Sequence, residues 1–434
     1  MTDRPTAQPT KGTKMTSHHL RRRALPIAAP AVLTAALISG FLSMAARPVY
    51  AATVCSVKNY GATGNGTTKD TAALQRAITA CAGDGIAELT AGRYLSGPLT
   101  LPSGVTLQID SGATLLASQS VADYPQSGSH LAPLLQAGAA SNVAITGTGT
   151  IDGQGAPWWA LINQEKAAGQ PLSPRPALID LETVSTAAIT GITLMNAPNV
   201  HITMKASTHV TVDQIKISSP SDSPNTDGID VWSSSNVAVT NSTIDCGDDD
   251  LAINSSTANG PAHDISLSSS TILHGHGLSI GSYTAGGVYN VSIHDNTLTN
   301  TSTGIRIKSA RDRSGEVHAI TYTHLTMTGV STPISILAYY PSVPADGDPA
   351  QAVTSTTPYY HDITISKVTA TAATTAGQIV GLPERAVTGL SLRNVTISAK
   401  TGVLVRNATV TTSTVTVTPS SGSAWILQSN AKVS

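Results

Sequence analysis

Charge and aromatic rings are both scarce in this chain of 434 residues: Asp, Glu, Lys and Arg make up 12%, Phe, Trp and Tyr 4%, and there is a single Phe. The charged share is about half the ~25% of an ordinary soluble domain. Helical bundles and coiled coils draw on Glu, Lys, Leu and Arg in quantity, so the shortage excludes both. A basic excess is also missing, since 25 Lys and Arg meet 26 Asp and Glu for a net charge of −1. Nucleic acid is therefore not an expected partner, because neutralising phosphates needs a basic surface. Disorder is excluded in turn by 40% hydrophobic residues with little self-repulsion. Gly, Ser, Thr, Ala, Val and Ile fill the difference, a composition that favours short strands separated by turns.

The N-terminus reads as an address. Arg21, Arg22 and Arg23 precede an apolar run from about Ala24 to Ala46, broken by Pro26, Pro30 and Gly40, and Val49-Tyr50-Ala51 follows as a small-residue cleavage pattern. A removable signal over 1–51 is expected, with Met15 as an alternative start, leaving 52–434 as one domain. No further stretch is long and apolar enough to span a membrane. The mature protein is thus expected to be secreted, extracellular, free of the membrane and monomeric. Only three cysteines are present, and in an oxidising compartment Cys55 and Cys81, which bracket one small unit, are expected to pair. Cys246 reads as a small buried hydrophobe, and no Cys/His spacing suggests zinc.

From about residue 141 the chain repeats. Taking Val231, Ile253, Ile280, Ile307 and Ile336 as equivalents gives steps of 22, 27, 27 and 29 residues. Steps of this size, rich in β-branched residues and lacking a helical period, read as coils of a solenoid. Leucine-rich repeats lack their Leu and Asn pattern here, and a propeller blade needs about 40 residues. The expected fold is all-β, a right-handed parallel β-helix. A short N-terminal helix, capped by Asp70 and burying Ala73, Leu74, Ala77 and Ile78, is expected to cover its open end. The stretch from about Ser342 to Thr357, with Pro341, Pro344, Pro349 and Pro358 in or beside it, reads as a loop.

Four segments fall in consecutive coils: Asn225-Thr-Asp-Gly-Ile-Asp230, Gly247-Asp-Asp-Asp250, His274-Gly-His-Gly277 and Arg306-Ile-Lys308. Asp227 to Asp248 is 21 residues, Asp248 to His276 is 28 and His276 to Arg306 is 30. Each step is near one coil, and stacked strands lie about 4.8 Å apart, so the four converge on one lateral face. Singly they are weak: Asn-Thr-Asp-Gly is a common turn, clustered aspartates suit Ca²⁺, and alternate cations on a strand can be a solvated edge. Together they describe carboxylates beside a paired Arg and Lys. Carboxylates about 6.5–9.5 Å apart can protonate a glycosidic oxygen and activate water on the opposite sugar face. Arg and Lys supply what an anionic ligand needs, so an acidic polysaccharide and inverting hydrolysis are expected.

At these residues the chain resembles the polygalacturonases of glycoside hydrolase family 28. The resemblance rests on Asn225-Thr-Asp, Gly247-Asp-Asp, Gly275-His-Gly and Arg306-Ile-Lys in order, with Gly147-Thr-Gly-Thr-Ile-Asp-Gly-Gln-Gly, Trp158-Trp159 and Arg175-Pro176 upstream. It implies Asp248 as general acid, Asp227 and Asp249 holding and deprotonating the water, and His276 tuning the acid. It further implies that Arg306 and Lys308 bind galacturonate carboxylates, joined by Asn225 and by a tyrosine of the next coil, Tyr340 with Tyr339 as the alternative. Asp250 stands where the family has Cys or Asn and receives no catalytic role. Homogalacturonan is the implied substrate, endo action the expected mode, and no cofactor or metal is expected. A Ca²⁺-dependent pectate lyase and a non-catalytic carbohydrate-binding β-helix are the competing classes.

Overall fold

Short β-branched runs such as Val237-Ala238-Val239 and Ile265-Ser266-Leu267 alternate buried and half-buried side chains, as strands with one face in a core do. In the computed structural model, which describes residues 52–434, these runs stack coil upon coil into the right-handed parallel β-helix. One parallel sheet system of 33 strands wraps the whole body, and the strands Gln126–Ser127 and His130–Leu131 form a separate antiparallel hairpin. The signal expected over 1–51 lies outside the described residues, and no described helix is long and apolar enough to cross a membrane.

The repeat read from the sequence is the register of the structure. Val231 pairs with Ile253, Ile253 with Ile280, Ile280 with Ile307 and Ile307 with Ile336, and all five are fully buried. The next step, Ile336 to Ile379, is long because the Pro-rich loop is inserted between them. Each coil also turns on single residues in the left-handed region. Asn236, Asp264, Asn290 and Asp362 occupy one such corner, at φ between 53° and 55°. Asn and Asp tolerate this conformation because their short polar side chains bond locally. Buried backbone groups at the corners are met by stacked polar side chains: Ser242 N donates to Ser270 Oγ at 3.1 Å and Ser270 N to Asn296 Oδ1 at 2.9 Å. This ladder satisfies the coils without spending charge.

The N-terminal end is covered by the helix Thr71–Ala80, whose Ala73, Leu74, Ala77 and Ile78 are buried. Asp70 stands at its N-cap but does not cap it with its side chain. Its carboxylate turns back to accept from Thr63 N at 2.7 Å and Gly64 N at 2.9 Å, so three well-placed donors of the preceding turn, counting Thr63 Oγ1, outcompete the helix. Cys55 and Cys81 are joined by a disulfide that ties the first strand to the end of this helix, with Cα atoms 6.0 Å apart. The Pro-rich loop is held down rather than free. Arg406, buried, donates to Pro344 O at 3.0 and 3.1 Å, and Tyr339 Oη donates to Asp348 at 2.5 Å.

Candidate active site

The strands Ile229–Trp232, Leu251–Ser255, Leu278–Thr284 and Thr303–Lys308 lie side by side in four consecutive coils. Their N-terminal corners carry Asp227, the aspartates 248–250 and His276, and the last strand carries Arg306 and Lys308 on its outward positions. Glycine makes this crowding possible. A Cβ on Gly277, at φ 85°, would stand 2.0 Å from Thr303 O, and one on Gly275 would meet Asp250 Oδ2 at 2.6 Å.

His276 Nδ1 donates to Asp248 Oδ1 at 2.8 Å, while the backbone N–H of Asp249 donates to the same oxygen at 2.9 Å. Asn225 Nδ2 donates to Asp248 Oδ2 at 3.4 Å, and Asn225 is itself held by Arg175 Nη2 on its amide oxygen at 2.8 Å. Asp249 is buried and held by three donors: Lys308 Nζ lies 2.6 Å from Oδ2, and Arg306 Nη1 at 2.9 Å and Ser279 Oγ at 2.8 Å donate to Oδ1. Tyr340 packs on both cations, its ring centre 5.2 Å from Lys308 Nζ and 5.8 Å from Arg306 Cζ. Tyr339, its neighbour, points to the other side and into the Asp348–Arg311 network. Of the two tyrosines, Tyr340 is the one at the site.

A carboxylate oxygen each of Asp248 and Asp249 and a ring nitrogen of His276 all lie within 4.8 Å of one another, so the three form one cluster at the corner. His274 turns away from it to Asp245 at 2.9 Å.

Several residues of the site went unassigned from the sequence. Arg175 reaches over from a loop to donate to Pro198 O at 2.8 Å and Pro224 O at 2.6 Å besides Asn225. His201, fully buried, has its Nδ1 2.9 Å from the carbonyl of Asp227 and its Nε2 3.0 Å from Ser219 Oγ, and burial pushes its pKa down to about 4. Asp250, also fully buried, accepts from Gly277 N at 2.9 Å and from the Cys246 thiol at 3.3 Å. It ties two coils together, and Cys246 is a buried group beside it whose thiol burial holds well above its ordinary range.

The carboxyls divide electrostatically. Burial, then the charges of Asp230, Asp248 and Asp249, raises Asp227 well above the usual carboxylate range. Burial and the charge of Asp249 push Asp230 up to about 7, and burial raises Asp250. Asp248 goes the other way. Burial pushes it up, but the hydrogen bond and charge of His276, the charge of Lys308 and the Asp249 N–H outweigh that and leave it lowered.

These shifts predict how stability follows pH. Groups whose folded pKa is raised hold a proton in the folded state that the unfolded chain has released, so stability falls as pH climbs between the two values. For Asp230 that window runs from about 4 to about 7, and Asp227 and Asp250 act in the same sense. His201, pushed down to about 4, acts in the opposite sense between there and about 6.5, so the part due to Asp230 is read by difference: as pH rises from about 4 to 7 the thermal midpoint of the wild type is expected to fall relative to that of Asp230→Asn. Midpoints of the two proteins that run parallel across this range in calorimetry would contradict the assignment.

The sequence model for glycosyl hydrolases family 28 matches residues 81–417. An endo-polygalacturonase of Pectobacterium carotovorum subsp. carotovorum is 34% identical over 291 residues, 62% of this chain and 72% of that protein. An exopolygalacturonase of Zea mays is 31% identical over 332 residues, 73% of this chain and 77% of that protein. The solved polygalacturonase from Erwinia carotovora ssp. carotovora superposes with a TM-score of 0.70 at 29% identity, covering 90% of this chain and 99% of that one. With the carboxylate corners, the His276–Asp248 pair and the Arg306–Lys308 strand in place on a parallel β-helix, the chain belongs to glycosyl hydrolases family 28.

Proposed function

We propose that the protein is a secreted, monomeric polygalacturonase that hydrolyses α-1,4-galacturonosidic bonds of homogalacturonan within the chain and with inversion. The observation that carries this reading is the division of labour among the carboxylates. Asp249 is clamped by Lys308 and Arg306, whereas Asp248 is bound only by His276, the Asp249 N–H and the Asn225 amide. Asp248 is thus the carboxyl free to give a proton to the glycosidic oxygen, and Asp227 with Asp249 orients and deprotonates the water.

In the free protein the proton of this cluster favours Asp227, raised by burial, over Asp248, lowered by His276. Hydrolysis needs the reverse distribution. A galacturonate carboxylate drawn in by Arg306 and Lys308 brings negative charge next to Asp248 and raises it, so substrate binding itself moves the proton to the acid. Arg306 and Lys308 are then shared between Asp249 and the substrate, Tyr340 packs against them, and Asn225 lines the site beside the acid.

Inversion is favoured because both oxygens of Asp249 are already engaged by cations, which leaves a poor nucleophile and a good anchor for water. The same two cations oppose a divalent ion at Asp248, Asp249 and His276, which speaks against Ca²⁺-dependent elimination. Viscosity and reducing ends followed together on polygalacturonate test the mode of attack. Endo action collapses viscosity while few reducing ends have formed, in the presence of a chelator as in its absence. A proportional fall identifies an exo enzyme instead. N-terminal sequencing of exported protein beginning after Ala51 tests the secretion signal.

A further inference from the structure

The helix Ala156–Ala167 and the loop that leads away from it lie outside the repeating strands, yet they end at the catalytic corner. Trp159 Nε1 donates to Ala197 O at 3.0 Å and docks the helix on the turn of a coil. Near the helix end the buried Glu165 accepts from Ser173 N at 2.7 Å and from Ser173 Oγ at 2.5 Å, which folds the loop back against the helix. Arg175 follows two residues later. Its Nη1 donates to Pro198 O at 2.8 Å and Pro224 O at 2.6 Å, and its Nη2 donates to Asn225 Oδ1 at 2.8 Å. One guanidinium therefore holds the carbonyl just before Asn225 together with the amide oxygen of Asn225 itself. Arg offers only donors, so the amide atom that faces it has to be the oxygen. The amide nitrogen is left facing Asp248 Oδ2, at 3.4 Å, and among the described residues the Asn225 side chain has no other hydrogen bond.

We propose that Arg175 is a positioning residue for the general acid: it fixes the Asn225 amide so that its N–H donors, and not its oxygen, face Asp248. The inference rests on the glycosidase reading above. An amide turned end for end keeps its shape but presents the opposite partner to a carboxyl. With the nitrogen toward the acid, Asn225 donates to Asp248 Oδ2 while His276 and the Asp249 N–H hold Oδ1, so both oxygens of the acid are fixed in direction. Turned over, the amide oxygen would repel the ionised carboxyl, or accept the proton of the neutral acid and keep it from the leaving oxygen. Arg175 removes that second orientation. The charges of Asp227, Glu165 and Asp248 all act on the guanidinium, which keeps it at this corner despite its partial burial. Glu165 and Ser173 in turn set where Arg175 stands, so the helix serves the acid from outside the repeat.

The test is a double-mutant cycle on polygalacturonate with Arg175→Lys, Asn225→Ala and the two combined. Lysine keeps the charge but is a point donor that cannot span three oxygens as the guanidinium fork does. Arg175→Lys is expected to lower kcat about tenfold, the scale of a hydrogen bond to a charged group, with KM nearly constant because Arg306 and Lys308 are untouched. The combined variant is expected to be no slower than Asn225→Ala alone, since Arg175 acts through that amide. Wild-type kcat in Arg175→Lys, or losses that multiply in the combined variant, would overturn the proposal. Thermal midpoints check the fold. Should Arg175→Lys not fold, Glu165→Gln takes its place, because it leaves every side chain of the site intact: a lower kcat in the wild-type background and none in Asn225→Ala is expected, and equal losses in both backgrounds, or none in either, overturn the proposal. Turnover of polygalacturonate by the wild-type protein is the separate control, since its absence defeats the glycosidase reading itself.

Discussion

Asp248→Asn is expected to lower kcat on polygalacturonate by about 10²–10⁴, the range that general acid catalysis contributes, while the protein keeps its fold. The amide keeps the shape of the carboxylate and can still accept from the Asp249 N–H, which donates to Asp248 Oδ1 at 2.9 Å. It has no proton to give to a leaving oxygen. The loss should therefore fall on kcat, with KM nearly constant, because the substrate's carboxylates are held by other side chains. Circular dichroism and the thermal midpoint check the fold, and initial rates of reducing-end release check the chemistry. A variant that retains wild-type turnover would remove Asp248 from the role of acid and direct attention to Asp227, a carboxyl that burial raises well above its usual range.

The second large effect belongs to Lys308. Its ammonium is buried against Asp249 Oδ2 at 2.6 Å, and replacing it by Met leaves that oxygen buried without its cation. Breaking a buried ion pair from one side costs about 3–5 kcal/mol, so Lys308→Met should unfold at a much lower denaturant concentration than the wild type. Removing the charge on the other side as well separates structure from function. Lys308→Met with Asp249→Asn should regain part of the lost stability, because the carboxylate oxygen left without its cation is gone while Arg306 loses its own partner, yet remain inactive, because the water has lost its anchor and the substrate its cation. Equal stability losses for the single and double variants, measured by urea unfolding, would show that the pair is not coupled.

The pairing at Lys308 also marks where sequence reading stops. The strand Thr303–Lys308 and its outward Arg306 and Lys308 follow from alternation, and the coil spacing brings them to the aspartates. What alternation does not reveal is that both cations close on one carboxylate, Asp249, rather than standing open to the solvent. Inward positions were the most legible because a β-helix repeats the same environment each coil: Val231, Ile253, Ile280, Ile307 and Ile336 occupy equivalent sites and are all aliphatic. Arg175 was opaque for the opposite reason. It lies 50 residues from the Asn225 it orients, on a loop outside the repeat, so no period points to it. His201 sits within the repeat, at the bend before the strand Ile202–Lys205, and a lone buried histidine looks like core until its contact with the Asp227 carbonyl is seen. Asp70 misled because an aspartate before a helix has two possible partners, and only the position of the Thr63–Gly64 turn decides between them.

The low charge content takes its meaning from this architecture. Coils filled by Ile and Val satisfy many of their buried corner groups through Ser and Asn rather than ions, so few positions need charge. Asp227, Asp230, Asp248, Asp249, Arg306 and Lys308 gather on one face of the solenoid, where burial raises Asp227 and Asp230 and the hydrogen bond and charge of His276 lower Asp248. Such shifts are what acid and base catalysis by two carboxyls requires.

The most direct test of the account is the configuration of the first product. Proton NMR of polygalacturonate during the first minutes of hydrolysis should show new reducing ends as the β-anomer, with the α-anomer growing later by mutarotation, since a single displacement by water inverts the α-linkage. New ends that first appear as the α-anomer would make Asp249 or Asp227 a nucleophile, and unsaturated ends in place of either anomer would replace hydrolysis by elimination.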